Sequence, residues 1–292
     1  MKARPIYFLI AFFLVLIAIE TIYTRLIFSA ERSAYIMGTP VRVKVFGQNA
    51  PYLSWRALWE IRKIDRLFSK FRPDSEISLI NKLASQAPLE ISKETLECLQ
   101  IAQGINGISN GAFDITLGYP YLFVLNTRTR KAYIKRKGIK IDLGGIGKGY
   151  AVEAARRLLL KKGAKSGMID MRSSIAVFGQ REWQVGIQHP RDPDKLLGAV
   201  VLSNGQSLAT SGDYERGDHI IDARIRWPVK KCQSVTVIGR NAAVADAIST
   251  AVFVLGPGQG MDFIESQDGI EGMIVDLKGK ITQSSGFDLI EL

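Results

Sequence analysis

The sequence predicts an α+β fold, on three observations. Helical periodicity is concentrated in the first half of the chain, short apolar strands dominate the second half, and no internal repeat or low-complexity linker intervenes. A doubly wound parallel sheet would instead alternate strand and helix throughout. With 47% hydrophobic and 23% charged residues the composition is that of an ordinary globular protein, and 292 residues allow one large domain or two small ones. The net charge is +11, without a long Lys/Arg run or aromatics interleaved with basic clusters. That charge therefore reads as attraction to anionic ligands or a membrane surface, and not as a nucleic-acid footprint.

Lys2 and Arg4 precede an apolar run from Ile6 to Ile19, broken by Glu20 and resumed at Ile22, Tyr23, Leu26, Ile27 and Phe28. Residues 1–30 are expected to be a signal anchor or export signal, its positive end held in the cytoplasm. The uninterrupted run is short for a spanning helix of about 20 residues, but the second patch extends it. Residues 28–30 make an imperfect cleavage site, and no cysteine is near enough for lipid anchoring. An uncleaved anchor in the inner membrane, with residues 31–292 outside the cytoplasm, is the expectation. Cys98 and Cys232 fit no metal spacing and read as buried thiols.

The body opens with a strand over residues 35–46, kinked at Gly38-Thr-Pro40. Over residues 52–71 the period becomes helical, with Leu58, Ile61, Ile64, Leu67, Phe68 and Phe71 on one face. Ser75 and Ser92 are expected caps of two further helices. Residues 111–120 are too rich in glycine for a helix, and a basic stretch follows over 128–140. Beyond the helix that begins near residue 147 and stops at Gly163, strands are expected at 168–178, 183–188, 199–202, 206–210, 233–239, 272–276 and 280–283. One helix interrupts them, over 243–255, stopped by Gly256-Pro257.

The stretch Ile141-Asp-Leu-Gly-Gly-Ile-Gly-Lys-Gly-Tyr150 is the most unusual in the chain. It reads as a strand ending at Asp142, then a glycine loop opening a helix. Such a loop aims free N–H groups at an anion, and Lys148 adds a mobile charge. The spacing fits neither the Walker A nor the dinucleotide-binding fingerprint. In the late helix Asp246, Ser249 and Thr250 stand at i, i+3 and i+4 on an otherwise apolar element. One carboxylate and two hydroxyls suit a hard cation such as Mg²⁺; equally, they suit hydroxyls bonded back to helix carbonyls. His219, beside Asp213, Asp218 and Asp222, is a candidate for proton work near neutral pH.

In order and spacing, these pieces resemble the ApbE family of FAD:protein FMN transferases. The likeness is carried by Met37-Gly-Thr39, residues 67–77, Gly111-Ala-Phe-Asp114 with Thr116, residues 142–150, Thr210-Ser-Gly-Asp-Tyr-Glu-Arg216, His219-Ile-Ile-Asp222, Ser234-Val-Thr-Val237 and Ala245-Asp-Ala-Ile-Ser-Thr250. The resemblance implies an ApbE-like, T-fold-type arrangement of mixed or antiparallel sheets flanked by helices. It implies an extracytoplasmic, Mg²⁺-dependent enzyme that joins the FMN half of FAD to a Thr or Ser hydroxyl of an acceptor protein and releases AMP. By position, Asp246, Ser249, Thr250 and the carbonyl of Gly145 would hold Mg²⁺. Met37, Phe71, Ala112, Phe113, Asp114, Asp142, Lys148 and Ile221 would line the FAD site, with His219 and Asp222 in the reactive loop. The acceptor pattern the resemblance implies, Asp/Ser-x-x-Ser/Thr-Gly-Ala-Ser/Thr, does not occur in this chain, so the acceptor is another protein, expected to be a membrane redox subunit. Two departures stand out: Ala223-Arg-Ile-Arg226 replaces the family's Pro-x-Thr-Gly, and Arg172-Ser173-Ser174 replaces Gly-Gly-Asp. They leave two other readings open, FAD binding without transfer in a redox assembly, and FAD pyrophosphatase activity.

Overall fold

The computed structural model describes residues 7, 10–19, 29–213 and 220–291. Residues 10–19 are helical and exposed, and among the described residues no helix is long and apolar enough to cross a membrane. Most of the expected anchor lies outside the described residues.

The body is built on an eight-stranded antiparallel sheet. Its strands, in spatial order, are β1 (Ser29–Ile36), β2 (Thr39–Phe46), β6 (Ser166–Asp170), β7 (Ser174–Phe178), β10 (Ser207–Gly212), β13 (Cys232–Gly239), β14 (Glu271–Asp276) and β15 (Ile281–Gln283). Val41, Val43 and Val45 alternate with exposed or half-buried Arg42, Lys44 and Phe46, as a strand covered on one face requires. The covering layer is helical: α1 (Ala50–Phe68), α4 (Gly147–Lys161) and α5 (Ala242–Leu255) share one apolar cluster with those valines. On the opposite face the hairpin β8 (Trp183–Gln188) and β9 (Leu196–Leu202) lays Val185, Ile187, Val200 and Leu202 against Ile175, Val177, Leu208 and Val275. β7 and β13 are consequently buried along their whole length. They read as continuous apolar runs because both of their faces are covered.

A smaller unit stands beside the helices: α2 (Glu76–Leu83), α3 (Lys93–Ile108) and a three-stranded sheet of β3 (Leu89–Glu90), β5 (Lys131–Ile134) and β4 (Phe123–Asn126). Ser75 and Ser92 cap α2 and α3 as expected, accepting from the amides of Ser78 and Thr95. A two-stranded hairpin, β11 (Ile221–Asp222) and β12 (Trp227–Pro228), closes the list with α6 (Pro257–Glu265).

Several expectations are corrected. The strand expected over 168–178 is two strands, because the chain turns at Arg172, whose φ is +63°. Phe71 lies beyond the end of α1 and is 86% exposed, so it is not part of the helical core face. Residues 141–143 are extended without a strand partner; Asn81 pairs with both backbone groups of Ile141 instead. Gly256-Pro257 stops α5 but also starts α6, since proline at the first helical position loses no hydrogen bond. Of the β4–β5 hairpin, β5 falls in the segment read only as basic and β4 just before it, in residues given no element from the sequence.

Cys98 and Cys232 are both free and buried. Burial raises the Cys98 thiol and pushes that of Cys232 up to about 12, so neither is a nucleophile at neutral pH.

Candidate functional site

The site begins where α5 crosses the start of α4. The first turn of α4 has no side-chain cap of its own. Instead Asp246 Oδ2, from α5, accepts the amide hydrogen of Gly149 at 2.8 Å. The approach is so close that a Cβ on Gly149 would stand 2.3 Å from the Ala242 carbonyl oxygen. At Gly145 a Cβ would come within 2.9 Å of Thr250 Oγ1 and 3.1 Å of Phe113. Two of the glycines are therefore required by packing of helix against turn.

A buried ion pair fixes the same crossing. Arg156 donates to Glu153 at 2.6 Å, to the Gly205 carbonyl at 2.6 Å and to the Arg240 carbonyl at 2.5 Å. The Glu153 carboxylate also accepts the amide of Ala242, in the first turn of α5, at 3.2 Å. Both side chains are almost wholly buried, so each depends on the other for its charge.

The glycine loop is not an open amide cradle. Gly144 N–H goes to Asp142 Oδ1, Ile146 and Gly147 to the Leu143 carbonyl, and Gly149 to Asp246. Four amides that the sequence offered to an anion are thus held by the protein itself. Positive charge at this place comes from side chains. Lys148 Nζ donates to Ser173 Oγ, and Lys70 Nζ pairs with Asp142 Oδ2 at 2.7 Å.

Both lysines border a cleft with two lobes. One lobe, about 390 Å³, takes in Phe71, Ala112, Phe113, Asp114, Asp142, Gly145, Lys148, Ile221, Asp246 and Thr250. Ten of the fourteen candidate site residues thus converge on it; of the described ones, Met37, Ser249 and Asp222 do not line it. The second lobe, about 540 Å³, holds Met37 beside Phe68, Leu143 and Gly147. Lys70, Phe71, Asp142, Gly144 and Lys148 border both lobes, so the two lie side by side. Volumes of this size suit a cofactor-sized ligand. Burial raises the Asp65 carboxyl, which lines the second lobe.

The oxygen donors fit a hard cation. Thr250 Oγ1 lies 3.5 Å from the Gly145 carbonyl oxygen and 3.2 Å from Ser211 Oγ. With the Asp246 carboxylate beside them the set is all oxygen and open to the cleft, as Mg²⁺ prefers. Ser249 is placed differently. It is fully buried, and its hydroxyl bonds the Asp246 carbonyl and Ser211 at 2.8 Å each, so it supports the set from behind. Among the described residues no three His, Cys, Asp or Glu side chains cluster. A cation here would need ligand phosphate oxygens to complete its shell.

The reactive-loop residues separate. His219 lies outside the described residues. Asp222 is buried, does not border the cleft, and is gripped by Arg224 through both oxygens, at 2.8 and 2.7 Å. That guanidinium holds its carboxyl below the usual carboxylate range. Asp114 is likewise committed, accepting the amides of Thr116 and Gly118 at 2.8 Å each and so shaping the 111–119 loop. Around that loop Arg136 and Arg226 sit over the Tyr119 ring, at 4.7 and 5.1 Å from its centre. The departure at residues 223–226 is therefore a clamp of two arginines, one on Asp222 and one on Tyr119.

Reading the sequence missed Lys70, Ser173 and Ser211. Lys70 and Ser211 lie inside motifs already quoted, but as residues without a distinctive spacing.

A model described as the ApbE family matches residues 37–121 and 119–274 of the chain. A FAD:protein FMN transferase of Klebsiella pneumoniae (strain 342) is 26% identical over 87% of this chain and 91% of its own length. One from Vibrio cholerae is 26% identical over 79% of this chain and 82% of its own. The crystal structure of the ApbE protein from Thermotoga maritima superposes with a TM-score of 0.82 at 28% identity, covering 90% of this chain and 99% of the other. The flavin transferase ApbE from Vibrio cholerae shares the fold, with a TM-score of 0.79 at 22% identity.

Proposed function

The chain belongs to the ApbE family, and from that premise we propose that it is a Mg²⁺-dependent enzyme transferring the FMN half of FAD to a Ser or Thr hydroxyl of an acceptor protein, with release of AMP. The observation that carries this reading is the convergence of Asp246, Thr250, the Gly145 carbonyl and Lys148 on one cleft of cofactor size. The curated relatives bearing the name FAD:protein FMN transferase support it.

In this reaction the acceptor oxygen attacks the FMN phosphorus of the diphosphate. The bond from that phosphorus to the bridging oxygen breaks, and AMP departs with the electron pair. Little covalent help is needed; positioning and positive charge lower the barrier. Bound at Asp246, Thr250 and Gly145, Mg²⁺ would neutralise diphosphate oxygens. Lys148, steadied by Ser173, adds charge on the same side, and Lys70 orients Asp142 at the junction of the lobes. Asp222 is a poor proton acceptor while Arg224 holds it, so the hydroxyl proton goes to His219 in this reading. The N-terminal segment would tether the enzyme to the inner membrane with the body outside the cytoplasm, facing a membrane redox subunit.

The rival, FAD binding without transfer, draws on the same grip of Arg224 on Asp222. Incubating the full chain with FAD, Mg²⁺ and a peptide of the acceptor pattern separates the readings. AMP with covalently flavinylated peptide is the expected result. AMP with free FMN points to a pyrophosphatase, and bound FAD with neither product points to the rival.

A further inference from the structure

Beside the cleft runs a second groove, of about 570 Å³, with no role in the chemistry above. One wall is strand β8, and residues 184–188 line it without a gap. In a strand, alternate side chains face opposite ways, so an unbroken run of lining residues means that the edge of the strand borders the groove. That edge is unpaired. β8 bonds β9 on one side only, and among the described residues its other side carries no backbone hydrogen bond. The far edge of β9 is closed by Ile290, which exchanges two backbone bonds with Ala199 at 2.9 and 2.8 Å. The floor is one face of the main sheet, with Met168 and Asp170 of β6 and Leu208 and Thr210 of β10. The hairpin covers β6 only in part, with Met168 half-buried against it, and leaves Ser33 of β1 and Arg42 of β2 exposed along the groove.

The two ends differ. Beyond Gln184, the last lining residue at one end, stand the Trp183 and Phe46 rings, 6.1 Å apart, which do not themselves line the groove. At the other end it reaches Ser173 and Thr210. Ser173 is the residue bonded to Lys148, and Thr210 lines the catalytic cleft as well as the groove. Here the chain is also pinned: Arg191, just beyond β8, holds Asp213 through both oxygens at 2.6 and 2.8 Å. Exposed Arg172 borders the same end.

We propose that this groove is the acceptor site: an extended segment of the acceptor protein adds to the free edge of β8 as a third strand and delivers its Ser or Thr hydroxyl past Ser173 and Thr210 to the diphosphate. The inference rests on the transferase reading. Main-chain pairing supplies affinity that tolerates sequence, as in other cases of strand addition. β8 is about 20 Å long, enough for roughly six extended residues. Arg172 favours an acidic residue close to the acceptor hydroxyl. An uncovered strand edge is otherwise an aggregation hazard, and here it has a use.

The test uses the full chain loaded with FAD and Mg²⁺, and a fluorescent 12-residue peptide carrying Asp-x-x-Thr-Gly-Ala-Thr. Two peptide sets are N-methylated at alternate backbone amides upstream of the threonine, one set in each register. Methylation in the register that faces β8 is expected to weaken binding, read by fluorescence anisotropy, by more than about tenfold; the other register leaves it within about twofold, since only alternate amides pair across a ladder. The unmodified peptide is also expected to slow amide hydrogen exchange in residues 184–188. Equal effects of the two registers, or unchanged exchange in β8, overturn the proposal. Anisotropy and exchange read docking even where no flavin is transferred. Absence of AMP and covalent flavin is the separate failure of the transferase reading.

Discussion

Asp246 Oδ2 accepts the amide hydrogen of Gly149 at 2.8 Å, which makes one carboxylate both the cap of α4 and the only acidic oxygen donor of the candidate cation set among the described residues. The two roles can be separated by substitution. Asp246→Asn keeps an oxygen for the Gly149 amide but removes the charge. Mg²⁺-dependent AMP release is expected to fall by about 100- to 1000-fold, with the thermal midpoint close to that of the parent. Asp246→Ala additionally loses the cap, at a cost of about 0.5–2 kcal/mol read by urea denaturation. Undiminished turnover in either variant would falsify the metal assignment.

Gly149→Ala tests the packing of α5 on the α4 turn. The added carbon would need space now taken by the Ala242 carbonyl oxygen, 2.3 Å away. Helix propensity alone favours alanine by up to about 1 kcal/mol. Overpacking opposes it by about 1–3 kcal/mol or more, so a net loss of stability is expected in chemical denaturation. A gain in stability would show that the two helices can separate freely.

Arg156→Met leaves Glu153 charged and buried, and takes the donor from the carbonyls of Gly205 and Arg240. The expected loss is about 3–5 kcal/mol. Adding Glu153→Gln to that variant removes the stranded charge, so the double variant is expected to recover part of the loss. A double-mutant cycle of unfolding free energies measures it.

Asp222 carries a pH prediction. Its folded carboxyl lies below the ordinary value because Arg224 bonds it, with burial acting the other way. A depressed folded value means that its contribution to stability is present above the unfolded value, about 3.9, and is lost as pH falls through the folded one. Arg224→Met is expected to raise the midpoint of Asp222, followed by carboxyl NMR, and to leave the shape of the pH–rate profile across neutral pH unchanged. A new titration in that profile near neutrality would instead make Asp222 the proton acceptor.

Lys148→Met removes the side-chain charge that faces the diphosphate in this reading. FAD cleavage is expected to slow by about 100-fold or more, measured as AMP release at saturating peptide. Ser173→Ala, which removes only the hydroxyl that accepts from Lys148, is expected to have a much smaller effect on the same rate.

Much of the site could be read from residue order. Asp246 and Thr250 share a face because helical spacing puts them there, and Ser75 and Ser92 cap helices by local chemistry alone. Local rules also misled. The amides of 144–149 look available in sequence, and only the arrival of Asp246 from 97 residues away shows that one of them is already bonded. Nor does the sequence show that Arg224 neutralises Asp222, since an arginine two residues on faces a carboxylate only if the chain turns there.

What the sequence by itself determined is most of the local elements, the family to which they point, and a set of candidate site residues, because these depend on spacing along one chain. What only the tertiary structure decided is which polar groups remain open to a ligand, and that β8 keeps, among the described residues, a bare edge beside the cleft. Both follow from long-range packing: a hydrogen-bonding group has a fixed capacity, and the partner that fills it arrives through space from a distant part of the sequence.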